Sequence, residues 1–168
     1  LLGNNGTNTK LHSNQAFPLM LYVADFDGNG SIDQLIASEY EGKYFPFLGK
    51  EELENNLPAL IKKKYLGYAS FAGQTTQEVF GEKLNHAKKL SACLLNSMVF
   101  FNNGKNGFSA LALPPAAQYS KIMAFYAADL NKGSAVAIIA AGNFYGVTPY
   151  EGRYDASCGS VMLFQKNQ

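Results

Sequence analysis

Short apolar runs closed by Asn, Gly and Asp recur along the chain. Met20-Leu-Tyr-Val-Ala24 runs into Asp25-Phe-Asp-Gly-Asn-Gly-Ser31, and apolar positions resume at Ile32 and continue to Ala37. The same order of apolar run, polar loop and apolar run returns at Met123-Ala-Phe-Tyr-Ala-Ala128, Asp129-Leu-Asn-Lys-Gly-Ser134 and Ala135 to Ala140. Apolar flanks of five or six residues bounded by turn residues predict two strand–loop–strand units. Residues 1–8, 98–108 and 161–168 are also alike, each an apolar strand end running into an Asn/Gly-rich or Asn-containing tail. The pattern therefore predicts about two copies of a β unit and the end of an earlier one.

The copies differ in length. Asp25 and Ser97 are 72 positions apart in the first, whereas Asp129 and Ser160 are 31 apart in the second. The excess reads as helix. Leu53, Leu57, Leu60 and Ile61 fall on one helical face. Glu51, Glu52 and Glu54 precede this stripe and Lys62, Lys63 and Lys64 follow it, as the helix dipole favours. Pro58 is expected to split the segment in two. Thr75 with Glu78 forms a capping-box pattern that predicts a further helix from Thr76 to about Leu90. A mainly helical insertion over residues 39–92 follows.

Composition sharpens this picture. The 168 residues are one domain's length, with 47% hydrophobic residues and only 16% charged, against a usual charged share of about 25%. Gly (16), Asn (15), Phe (12) and Tyr (10) are abundant, a set that favours tight turns and strands. The net charge is +1, from 13 lysines and a sole arginine, Arg153, against 13 acids. A nucleic-acid binder normally carries a basic face with several arginines, so that class is disfavoured. The longest apolar stretch, residues 135–141, is far short of the roughly 20 residues of a membrane span. Two cysteines, Cys93 and Cys158, make no disulfide framework; they read as small buried hydrophobes, with a single bridge left open. No charged-then-apolar leader is visible at Leu1, and the chain is expected to be a piece of a longer protein.

The candidate chemistry lies in the first polar loop. Three of the five aspartates fall within nine residues, and oxygen donors occupy alternate positions: Asp25, Asp27, Asn29, Ser31 and Asp33. Hard cations such as Ca²⁺ take six to eight oxygens, and a tight loop points alternate residues inward. Gly28 and Gly30 permit the turn, and Ile32 is expected to face the other way into the core. Three carboxylates so close repel one another without a cation. An EF-hand shares these nine positions but needs a bidentate Glu at the twelfth, which here is Ile36. The flanks also read as strands. Aligned on the loop, the second copy offers Asp129, Asn131, Gly133, Ala135 and Ala137. Its third and last side-chain donors are gone, so no tightly held ion is expected there.

The loop at residues 25–33 between strands, its second copy at Asp129 and the Asn/Gly turn at residues 102–107 resemble FG-GAP/VCBS repeats, the blades of integrin-like β-propellers. More narrowly, residues 22–33 and the stretch Gly142-Asn-Phe-Tyr-Gly-Val-Thr-Pro-Tyr-Glu-Gly-Arg-Tyr-Asp-Ala-Ser157 resemble a bacterial VCBS-repeat group often found with an ASPIC/UnbV module. The resemblance implies a mainly β fold of two to three propeller blades with a helical insertion. Residues 1–18 would end a preceding blade, residues 19–113 form one blade with its insertion, and residues 114–168 form another. It also implies an exported protein, extracellular or at the cell surface, that binds Ca²⁺ and serves interaction or scaffolding with no reaction assigned. The ligands would be the side chains of Asp25, Asp27, Asn29 and Asp33 and the backbone oxygen of Ser31. Two blades cannot close a ring, so their edges are expected to meet the remaining blades or another copy. The other reading is an accessory domain of a carbohydrate-active or other hydrolytic enzyme whose catalytic part lies elsewhere.

Nothing else in the sequence favours catalysis. His12 and His86 stand apart, and His86, beside Lys88 and Lys89, reads as a surface residue. No Gly-x-Ser-x-Gly elbow or phosphate-cradling loop occurs. In residues 150–155, Arg153 lies two positions from both Glu151 and Asp155 and is expected to pair with both if the segment is extended. With Tyr145, Tyr150 and Tyr154 it forms either an ion-paired packing loop or a polar-aromatic binding surface.

Overall fold

The structure, a computed structural model, describes residues 1–129, 135–147 and 151–165. It is mainly β, with three antiparallel sheets. The chain divides into two compact units, one of residues 11–94 and one of residues 1–10 with 95–168. Neither division point is a blade boundary of the repeat reading. No helix among the described residues is long and apolar enough to cross a membrane.

The unit of residues 11–94 opens with β1 (Leu19–Ala24), β2 (Asp33–Tyr40) and β3 (Lys43–Pro46), which zigzag antiparallel. Five short helices follow: α1 (Lys50–Asn56), α2 (Pro58–Lys64), α3 (Tyr68–Phe71), α4 (Thr76–Phe80) and α5 (Lys83–His86). The chain then returns as β4 (Lys88–Ala92) to pair beside β1. The order β3-β2-β1-β4 is a Greek key whose long connection is helical. So the insertion spans residues 50–86 rather than 39–92, and strands occupy both of its expected ends.

The helical stripe packs as its spacing requires. Leu53, Leu57 and Ile61 are buried and Leu60 is partly so, against Phe26, Leu35 and Val79. Pro58 does split the segment: it starts α2, where its missing N–H is not needed. The capping box forms in full, with Thr75 Oγ1 accepting from Glu78 N at 3.2 Å and Thr75 N donating to Glu78 at 2.7 Å. The helix it opens is shorter than expected, because Gly81 at φ 55° ends α4. Residues 88–92 then join the open edge of β1 instead of extending a helix, so ladder hydrogen bonds override local propensity there.

The other unit holds β5 (Met98–Asn102) and β6 (Phe108–Ala112), joined by a 3₁₀ turn, and the sheet β7 (Ala124–Asp129), β8 (Ala135–Ala141) and β9 (Ser160–Gln165) in sequential order. Its core is Val99, Leu113, Ala117, Ile122, Ile138, Ala140 and Met162. Residues 1–10 form no strand; Leu2 alone bridges to Met98. Gln118 fastens them. Its buried side chain donates to Ser97 O and Leu113 O and accepts from Ser97 N, all at 2.9 Å. Its carbonyl accepts from Thr7 N at 3.1 Å. Gly6, at φ 83°, lies so close that a Cβ would come within 2.3 Å of that oxygen.

The hairpins β1–β2 and β7–β8 share one register. Ala24 pairs with Asp33 and Leu21 with Ile36; at the loop-aligned positions, Ala128 pairs with Ala137 and Phe125 with Ala140. Ala135 and Ala137 sit in β8, Ala137 buried, as strand residues rather than loop donors.

Two substitutions test this packing. Phe26→Ala, although it changes a loop residue, is expected to lower unfolding free energy by about 3–5 kcal/mol in urea titration. Thr75→Ala is expected to lower it by about 1 kcal/mol.

Candidate metal centre

β1 and β2 deliver the acidic loop. Residues 25–32 connect the last β1 pair to Asp33, the first residue of β2. Carboxylate oxygens of Asp25, Asp27 and Asp33 all lie within 4.8 Å of one another. Asp25 is exposed, whereas Asp27 and Asp33 are partly buried. The three acids picked out by alternation are therefore brought together as expected.

The loop also turns its own backbone toward these acids. Asp25 accepts from Gly28 N at 2.7 Å, Gly30 N at 2.8 Å and Asn29 N at 3.1 Å. Asp27 accepts from Asn29 N at 3.1 Å, Asn29 Oδ1 from Ser31 N at 2.7 Å, and Asp33 from Phe26 N at 2.9 Å. Gly28 and Gly30 have φ of 79° and 85°, which bends the chain around Asp25. The N–H groups on Asp25 favour its charged form. The Asp25 carboxyl is held below the usual carboxylate range, chiefly by Gly30 N–H and then by those of Gly28 and Asn29.

The donor set, carboxylates with an amide oxygen, is wholly hard and oxygen-based, as Ca²⁺ or Mg²⁺ requires. An oxygen accepting one N–H keeps a lone pair for a cation. Asn29 and Ser31 are both exposed and follow the same turn, Asn29 with its oxygen on Ser31 N.

The core anchor is not the expected residue. Ile32 is 69% exposed and lines a cavity of about 370 Å³ with Phe26, Leu53 and Leu57. Phe26, at 0% exposure, takes the anchoring role, with its ring 5.1 Å from that of Phe80. Alternation carried past the strand ends agrees with this: Phe26 follows Tyr22 and Ala24 on the core side, and Ile32 falls on the other face from Leu35. Sequence reading also missed Lys83, whose Nζ donates to Phe26 O from α5. The signal for Phe26 was present: a large aromatic between two aspartates has little reason to face water.

The other candidates separate. Positions Asn131 and Gly133 of the second loop, and Tyr150, lie outside the described residues. Arg153 Nε donates to both oxygens of Asp155 at 3.1 Å and its Nη2 donates to one of them, which holds the Asp155 carboxyl below its usual range. The recorded ion pair of Arg153 is thus with Asp155, not with both neighbouring acids. Tyr145 is 75% exposed and Tyr154 buried. His12 and His86 are exposed, and Lys62, Lys63 and Lys64 are as well, Lys64 donating to Val79 O at 3.1 Å. Cys93 and Cys158 are free and exposed, which corrects the expectation that they are buried.

No family model, curated protein or solved structure matches the chain.

The Asp25 hydrogen bonds predict a pH dependence. A carboxyl whose pKa is lower folded than unfolded stabilises the loop above the ordinary value of about 3.9, and the contribution is lost as pH falls through the lower folded value. In an NMR titration the Asp25 carboxyl carbon is expected to have its midpoint below about 3.9. Exchange protection of the Gly28 and Gly30 amides should disappear over the same range, and at all pH values in Asp25→Ala.

Proposed function

We propose that this chain is a calcium-binding, non-enzymatic interaction or scaffold module built from blades of an integrin-like β-propeller, in an exported protein acting outside the cell or at its surface. The observation that carries the reading is the convergence of Asp25, Asp27 and Asp33 on one point in a loop between two strands. Ca²⁺ would be held by Asp25, Asp27, Asn29, the Ser31 carbonyl and Asp33. The ion offsets repulsion among the three carboxylates and ties the two ends of the loop together.

A second feature supports the interaction role. In β1–β2, the face bearing Tyr22 and Leu35 packs into the helix-covered core. The loop-aligned positions in β7–β8 are Tyr126 and Ile139, which stand 66% and 44% exposed, and Val161 of β9 continues the row at 66%. An apolar row across three strands is the kind of surface that a neighbouring β layer, from the parent chain or a second copy, covers.

Calorimetry with CaCl₂ tests the metal site. A single site with a Kd of about 10⁻⁴–10⁻³ M is expected, in the range of extracellular modules, since no bidentate Glu completes the set. Binding should raise Tm, and Asp27→Ala should abolish both heat and shift. Absence of calcium binding to the intact chain would overturn the proposal.

A further inference from the structure

Four Asn-Gly pairs occur in the chain: Asn5–Gly6, Asn29–Gly30, Asn103–Gly104 and Asn106–Gly107. Such a pair carries a reaction of its own, because a following glycine has no side chain to shield its nitrogen. The glycine nitrogen attacks the asparagine Cγ and a new N–C bond closes a cyclic imide. The Cγ–Nδ2 bond breaks, and the amide proton of the glycine leaves with the side-chain NH₂ as ammonia. Water then opens the imide at either carbonyl, leaving aspartate or isoaspartate. Whether a given pair reacts depends on how firmly the attacking N–H and the side-chain amide are held, and on the charge around them.

The structure holds the four pairs differently. Asn5 has its Nδ2 buried, Gly6 N donates to Leu95 O at 2.9 Å, and a Cβ on Gly6 would come within 2.3 Å of Gln118 O, so neither the imide nor water has room. At Asn29 both reacting groups are tied: Gly30 N donates to the Asp25 carboxylate at 2.8 Å and Asn29 Oδ1 accepts from Ser31 N at 2.7 Å. The carboxylates of Asp25, Asp27 and Asp33 also repel the hydroxide that takes the proton and the negative oxygen that forms during attack. At Asn103, the backbone N–H donates to Gly107 O at 2.8 Å and Gly104 N to Asn102 Oδ1 at 2.9 Å.

Asn106 is the least held. It is exposed, and its side chain makes no hydrogen bond among the described residues. Gly107 N reaches Gly104 O only at 3.2 Å and Asn106 N reaches Asn103 O only at 3.3 Å. The chain leaves the 3₁₀ turn at Gly107, with φ 78°. The sole charged residue from Met98 to Ala112 is Lys105, a cation next to Asn106, so no carboxylate of this hairpin opposes the developing negative charge.

We propose that Asn106 is a self-modifying position, deamidating through Gly107 to aspartate or isoaspartate, and that the acidic loop protects Asn29 from the same reaction. The product puts a negative charge beside Lys105 in the turn between β5 and β6. Its isoaspartate form also lengthens the main chain by a methylene inside the turn that the Asn103 N to Gly107 O bond closes. The inference needs no metal and does not rest on the calcium reading.

The full chain is incubated in EDTA at mildly alkaline pH, digested at intervals, and each Asn-Gly peptide is followed by mass spectrometry for the gain of about 1 Da that replaces NH₂ by OH. Asn106 is expected to react about tenfold faster than Asn29 and faster than Asn103, with Asn5 unreactive, since local protection sets the order. In the urea-unfolded chain the four rates should converge to within about threefold. Asp25→Asn removes a charge and a strong acceptor from Gly30 N; it should speed Asn29 and leave Asn106 unchanged. If Asn106 reacts no faster than Asn29 or Asn103 in the folded chain, or if the same order persists in urea, the proposal is overturned. Slower reaction of Asn29 in Asp25→Asn would overturn the protective role of the loop.

Discussion

Phe26 is the residue on which the first unit turns. It belongs to a loop made, apart from the exposed Ile32, of acids, glycines and small polar residues, yet it is fully buried. Its ring meets Phe80 of α4, its N–H is taken by Asp33 across the hairpin, and its carbonyl by Lys83 of α5. One residue thus joins the acidic-loop backbone to the sheet and to two helices. With Phe26 fixed, Asp25 and Asp27 on either side of it have little freedom to diverge, and the acids converge because a hydrophobic side chain holds the strand end down. Burial of a large aromatic is worth several times a single exposed hydrogen bond, so the geometry of the polar site depends on an apolar contact.

This anchoring changes how the acidic cluster should be understood. Three carboxylates within 4.8 Å of one another repel, and the exposed loop could relieve this by opening. It does not need to, because backbone N–H groups from Phe26, Gly28, Asn29, Ser31 and Gly30 point at the side-chain oxygens. The turn is thereby shaped by its own backbone. On the proposed calcium reading, the ion would meet oxygens already ordered.

Much of the architecture was legible because it follows from periodicity. The two strand–loop–strand units, the split at Pro58, the stripe of Leu53, Leu57 and Ile61 and the Thr75 cap are local patterns, and each appears where the pattern put it. What was illegible was non-local. Residues 88–92 carry no strong strand signal; they become a strand because β1 has an open edge beside them, and nothing in the sequence announces that edge. Ile32 and Phe26 exchanged roles for a different reason. Alternation with Tyr22 and Ala24 puts Phe26 on the core side and alternation with Leu35 puts Ile32 on the other; which face is the core is set by the helices that cover it. Cys93 and Cys158 were misplaced because burial frequencies for a residue type say nothing about a particular strand end or loop. The three acids were found because their spacing is itself the geometry.

The two hairpins show what the loop chemistry does to the ladder. Their registers coincide, yet β7–β8 closes one pair further: Asp129 pairs with Val136, whereas the aligned Asp25 and Ile32 stand outside the β1–β2 ladder. The difference tracks the donors. Asp25 is withdrawn from the strand by three N–H groups of a turn rich in glycine, and Asp33 is engaged by Phe26 N. In the second hairpin the position aligned with Asp33 is Ala137, which offers no acceptor, and the strand runs on through Asp129. The same contrast extends to the sheet face. In the first hairpin Tyr22 and Leu35 pack beneath the helices; at the aligned positions of the second, Tyr126 and Ile139 are exposed. The same hairpin register thus goes with a polar loop and a packed face in one half, and with pairing through Asp129 and an exposed apolar row in the other. The acidic cluster thus falls in the first half and the exposed apolar row in the second.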